Sequence, residues 1–317
     1  MLSFLTDPLQ YTFMQRGLVE VVLIGALCGA LGAFVVARGL GFIGDAISHA
    51  VFPGIVIAYL GKFNFFFGAL FFGLLTALSI GAITRNRRIK EDTAIGVLFA
   101  GAFSLGVVLI SSIRSYTTDL GAILFGNVLG VSGEDLILTL ALGAVIALIL
   151  ALIFKELVLV SFDRTMAAAM GLPVAWLEQL LLLLITLTII VSLQAVGNIL
   201  VVAMLITPAA TARLFVERFR ALMILGAGIG AGCGLVGLYL SYYLNLASGG
   251  TIVLLTTAVF GICFLWSSKN AVVAWLAGRR SNVGHTHQSE IHGTSSEQQS
   301  IPDGPPIPPD AGPAPQP

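Results

Sequence analysis

The chain has 317 residues, 57% of them hydrophobic and only 10% charged, and its sixteen basic residues balance sixteen acidic ones. The net charge of zero says nothing of partners, among which no nucleic acid is expected; the composition excludes a soluble domain with a polar shell. It belongs to a chain that crosses a bilayer many times.

A hydrocarbon core about 30 Å thick takes about 20 helical residues to cross. Apolar stretches long enough fall at about 17–37, 41–60, 64–84, 93–113, 134–154, 174–195, 197–216, 221–244 and 251–268. They predict an all-α polytopic membrane protein with about nine transmembrane helices. Eight is the alternative count, because Pro53 can break the second stretch and Gly197 joins two others. Asp7 is the first charge and Arg16 directly precedes the first stretch, so no basic run marks a cleaved signal peptide. Between Ser115 and Gly133, Asp119, several glycines and the short apolar piece 122–125 read as helices lying at a membrane surface.

Basic residues set the orientation. If the loop 85–92, Arg-Asn-Arg-Arg-Ile-Lys-Glu-Asp, is cytoplasmic, thirteen Lys and Arg fall inside, while Arg16, Lys62 and Arg114 stay outside. The N-terminus is then outside and the C-terminus cytoplasmic. The residues from Lys155 to Pro173 read as a long cytoplasmic loop. Within it Asp163 can cap a short helix over 164–170, Gly171 can close that helix in the left-handed conformation, and Pro173 can start the next element. Such a helix suits docking or rest on lipid headgroups. In 197–213, Ala209, Ala210 and Ala212 allow close helix approach and Pro208 bends the span, which serves packing first and a transport path second.

Cys28, Cys233 and Cys263 stand singly in apolar runs, as packing residues without paired spacing. The transmembrane region is read as 1–268, followed by a basic juxtamembrane segment at 269–280. A disordered Pro/Ser/Gln-rich cytoplasmic tail follows at 281–317. The tail holds His285, His287 and His292, incidental polar residues or a weak metal sensor.

The sharpest local feature is Gly44-Asp-Ala-Ile-Ser-His-Ala50, within the second apolar stretch. An Asp at the centre of a membrane helix costs about 2.5–3.5 kcal/mol on an insertion scale, so Asp45 needs a partner, a watery path or a role. The i,i+4 spacing puts Asp45 and His49 on one helix face, where carboxylate oxygen and imidazole nitrogen can form half of a transition-metal site. The plainer reading makes Asp45 the cap of a helix starting at Ala46 and His49 a hydrogen-bonding partner of a neighbouring helix. Along an unbroken helix the pair would lie about 10 and 16 Å from Arg38.

The segments 44–54, Leu124-Phe-Gly-Asn127, 162–172, Gln194-Ala-Val-Gly197 and Leu205-Ile-Thr-Pro-Ala-Ala210 occur in an order that resembles the membrane permeases of manganese/zinc/iron ABC importers. The resemblance spans roughly residues 8–268. It implies a type II ABC-importer-like permease in a bacterial inner (plasma) membrane. It also implies a homodimer, served by two cytoplasmic ATP-binding cassette subunits and an extracytoplasmic metal-binding protein. Asp163, Arg164, Thr165, Met166, Ala167, Ala168, Ala169, Met170 and Gly171 then correspond to the coupling helix that docks on the ATPase.

The chain has no Gly-x-x-x-x-Gly-Lys-Ser/Thr motif, so ATP hydrolysis falls to the separate subunit and the chain itself is no enzyme. Gly-x-Ser-x-Gly and His-Glu-x-x-His are absent, and Phe42 stands where a Gly-x-Gly-Asp protease motif needs its first glycine. Two second helices facing each other across a dimer axis would bring together two Asp45 and two His49 ligands for transported Mn²⁺, Zn²⁺ or Fe²⁺, bound only in transit. A carboxylate-rich site without Cys leans towards Mn²⁺. An ion-coupled secondary transporter, a channel, or an ABC permease for a metal chelate are the alternatives.

Overall fold

The computed structural model describes residues 7–85, 88–112 and 130–286. Among the described residues every long regular element is an α-helix. They are α1 Thr12–Arg38, α2 Ile43–Ala50, α3 Phe52–Gly61, α4 Phe65–Thr84, α5 Glu91–Ser111, α6 Gly133–Leu152, α7 Phe154–Phe162, α8 Arg164–Ala169, α9 Val174–Val196, α10 Asn198–Arg213, α11 Phe219–Leu244 and α12 Ser248–Thr286. The expected surface helices of 115–133, with the 124–127 motif and Arg114, fall largely outside the described residues, as do His287 and His292.

Eight helical segments are long and apolar enough to cross a membrane, with α2 and α3 together forming one of them. The ninth apolar segment, α10, has sixteen residues. At 1.5 Å per residue it is about 24 Å long, short of a full hydrocarbon core. Gly197, at φ 80° and ψ 165°, makes the turn between α9 and α10 in a conformation that favours glycine. That turn reverses the chain: Glu178 lies beside Arg38, Gln194 beside Asp135, and Arg213 again beside Val36.

The centre of the bundle is α1, packed on α10 and α11. Close approach is possible because glycines face backbone across the contact: a Cβ at Gly25, Gly29 or Gly230 would run into the opposite helix. Gly54 of α3 and Gly68 of α4 meet in the same way. α1 ends when Gly39 takes φ 72° and the Leu40 N–H reaches back to the Val35 carbonyl, a left-handed cap that turns the chain into α2.

Two local expectations change, and one alternative left open by the sequence, the break near Pro53, is met. Residues 154–162 are helix rather than loop, because Leu157 and Val160, one turn apart, bury against the core. The second apolar stretch is two helices meeting at Val51. Pro53 has no N–H to give the His49 carbonyl, so the ladder is interrupted there. The last helix continues past 268 to Thr286.

Candidate metal centre

α2 is eight residues long and strongly two-faced: Ile43, Gly44, Ala46, Ile47, Ser48 and Ala50 are buried. Its other face carries Asp45 and His49, whose side chains keep 38% and 26% of their surface open, enough for an ion to reach both. Asp45 does not cap this helix. It begins at Ile43, three residues before the start on which the cap reading depended, so Asp45 sits inside the first turn. The distance from Arg38 also changes, because residues 39–42 are a turn and the pair lies within the first two turns of a new helix.

His49 Nε2 lies 3.5 Å from Asp45 Oδ1 and 3.3 Å from Asn198 Nδ2 at the start of α10. Phe99 and Phe103, one turn apart on α5, set their rings edge-on to the imidazole at 5.6 and 5.3 Å between centroids. Phe42 packs edge-on against Phe99 at 5.7 Å. The aromatic rings flank the imidazole on one side, and Asp45 faces it on the other. Among the described residues no group of three or more His, Cys, Asp and Glu gathers to hold a metal. One chain thus offers a carboxylate, an imidazole and a neighbouring amide, and no thiolate: Cys28 lies buried beside Ser192, and all three cysteines are free. Sequence reasoning missed Asn198. Its signal was an amide directly after a glycine in an otherwise apolar run.

A second cluster lies where α1 ends and α8 begins. Asp163 Oδ1 accepts from the Met166 N–H at 2.8 Å and caps α8; Gly171, at φ 79°, ends the turn that follows. Arg164, the first residue of α8, pairs with Glu178 of α9 and, at 3.0 Å, with Glu91 of α5. Arg38 reaches the same Glu91 oxygen at 2.7 Å and Glu178 at 4.0 Å. An open cleft of about 700 Å³ lies beside this quartet, lined by Leu40, Lys90, Asp92, Ser161 and Thr165 among others. Phe162, Met166, Met170 and Trp176 leave large apolar surfaces exposed around α8.

Residues 10–267 match the ABC 3 transport family. The chain belongs to that family. Within the family, it is 45% identical over 288 residues to the manganese transport system membrane protein MntC of Halalkalibacterium halodurans, covering 90% of this chain and 99% of the relative. It is 42% identical to the manganese import system permease protein ScaB of Streptococcus gordonii, over 84% of this chain and 96% of that one. A probable iron transport system membrane protein of Haemophilus influenzae is 38% identical, over 85% and 95%. The solved structure of PsaBC from Streptococcus pneumoniae in complex with Fab superposes with a TM-score of 0.73 at 42% identity, covering 83% of this chain and 95% of that chain. An inward-facing putative metal-chelate type ABC transporter, at 20% identity and a TM-score of 0.65, shares the fold.

Proposed function

We propose that this chain is the membrane subunit of an ATP-driven importer of a divalent transition-metal ion, with Mn²⁺ the favoured cargo and Zn²⁺ and Fe²⁺ its competitors. The observation that carries the reading is the open Asp45–His49 pair on one face of α2, in a chain whose relatives bear manganese and iron transport names. Carboxylate and imidazole together suit these cations, and the lack of a thiolate disfavours Cu(I).

Two chains form the conducting unit. Each supplies half of the ligands, and α2 of one faces α2 of the other, so the gate closes only when both halves meet. The end carrying Arg38, Arg164 and Arg213 is cytoplasmic, in line with the excess of basic residues there. Residues Asp163 to Gly171 fit the ATPase subunit, which docks on the exposed apolar side chains in and around α8. A metal-binding protein delivers the ion at the opposite end. The ion leaves because the site is assembled only in part of the nucleotide cycle.

The test is uptake of ⁵⁴Mn by cells or proteoliposomes that hold the chain with its ATPase and binding protein. Asp45→Ala and His49→Ala should each abolish uptake at equal membrane abundance, with Zn²⁺ and Fe²⁺ competing against the wild type. Wild-type uptake by both variants would remove the pair from the mechanism, and uptake that persists without the ATPase would make the chain a secondary transporter or channel.

A further inference from the structure

Asn198 is 6% exposed, and its Oδ1 is a buried carbonyl with no hydrogen-bond partner among the described residues. Buried polar atoms are rarely left unmatched, because the cost of desolvation is then uncompensated. The other atom of the same amide, Nδ2, faces His49 Nε2 at 3.3 Å. The unmatched oxygen therefore belongs to the same amide whose nitrogen faces the atom that would bind the cargo. From this juxtaposition we infer that Asn198 is a third metal ligand of each chain, and that it biases the site towards Mn²⁺. The inference rests on the Asp45–His49 reading above.

The chemistry follows from the two ends of the amide. With no ion bound, Nδ2–H can donate to Nε2 only when the His49 proton sits on Nδ1, and that tautomer turns the Nε2 lone pair towards the Asp45 carboxylate 3.5 Å away, a repulsion that a cation between them relieves. That tautomer already exposes the lone pair a cation takes. When a cation arrives, the Asn198 donor loses its acceptor. A half-turn about the soft Cβ–Cγ bond then presents Oδ1 to the same ion. The amide keeps the imidazole poised when empty and supplies an oxygen when loaded. Gly197, at φ 80°, holds the start of α10 where this is possible, and Phe99 and Phe103 keep the ring from swinging away.

The count of ligands gives the bias. Asp45 and His49 from two chains make four, a number that a tetrahedral Zn²⁺ accepts readily. With two Asn198 carbonyls the set becomes six, four of them oxygens, which suits an octahedral, oxygen-preferring ion such as Mn²⁺.

The experiment uses the full-length chain with its ATPase subunits in lipid nanodiscs. Bound Mn²⁺ is read from the loss of the free-ion paramagnetic resonance signal, and Zn²⁺ is added as competitor. Asn198→Ala should weaken Mn²⁺ binding by about tenfold or more, with a smaller loss for Zn²⁺. Asn198→Asp, which keeps an oxygen and removes the donor, should retain most Mn²⁺ binding and shows that the fold tolerates the site. His49→Ala is the control for the underlying reading. If His49→Ala loses Mn²⁺ and Asn198→Ala keeps wild-type affinity and preference, Asn198 is no ligand and the pair still stands. If Asn198→Ala and Asn198→Asp lose Mn²⁺ and Zn²⁺ alike, the amide only orients His49. If His49→Ala binds normally, the pair and the third ligand both fall.

Discussion

Arg38 and Arg164 share one acceptor: the same Oε1 of Glu91 lies 2.7 Å from the first and 3.0 Å from the second. One arginine ends α1 and the other begins α8, and both also reach Glu178, so two carboxylates tie the central helix of the bundle to this short helix. Arg38 is almost wholly enclosed, with 5% of its side chain exposed, whereas Arg164 stays open at 38%. Removing Glu91 leaves the enclosed Arg38 guanidinium only Glu178, at 4.0 Å, and breaking a fully buried pair costs about 3–5 kcal/mol. Solvent at Arg164 reduces this, so Glu91→Ala should destabilise by about 2 kcal/mol. The melting midpoint of the detergent-solubilised permease checks it. An unchanged midpoint would mean that water replaces the carboxylate at no cost.

Asp163 should matter through its cap. Losing the 2.8 Å bond to the Met166 N–H costs about 1 kcal/mol, a large share of what holds a six-residue helix together. Asp163→Ala should speed hydrogen exchange at the first amides of α8 and lower uptake per ATP hydrolysed. Asp163→Asn should restore both, since an amide oxygen accepts the same bond.

Gly25 and Gly228 give opposite expectations for the same substitution. A methyl at Gly25 meets the Gly230 backbone, whereas nothing lies within 4 Å of one at Gly228. Gly25→Ala should cost about 1–3 kcal/mol and reduce the folded protein recovered from membranes. Gly228→Ala should leave recovery unchanged, and an equal loss in both would contradict the packing of α1 on α11.

Glu20 lies at 0% exposure in α1 beside Thr139, and among the described residues neither carboxyl oxygen has a hydrogen bond of ordinary geometry. Replacing it by an amide of the same shape removes an enclosed acid that lies near a second carboxylate, Asp135. Glu20→Gln should therefore melt no lower than the wild type. A clear fall would reveal a cation held there.

What the sequence made legible was local. Hydropathy gave the positions of the membrane helices, the i,i+4 spacing put Asp45 with His49, and Asp163 with Gly171 framed α8. These depend on neighbours within a turn or two. The partners of Arg38, of Arg164 and of His49 come from α5, α9 and α10, far along the chain, and helical periodicity carries no record of which helices touch. Glu20 escaped notice for the same reason, as one acid in a long apolar run. The helical stretch at 154–162 was obscured by Lys155 and Glu156, which resemble loop residues until Leu157 and Val160 are seen to bury.

The brevity of α2 has a consequence for the pair it carries. Eight residues make little more than two turns, so Asp45 and His49 occupy most of the open face, while Ile43, Ile47 and Ala50 are closed into the core on the other. Val51 donates to Ile47 and accepts from Ile55, which joins α2 to α3 through the bend. A displacement that separates the pair from whatever it binds must therefore shift a buried face and carry α3 with it, so the pair is held as firmly as the core behind it.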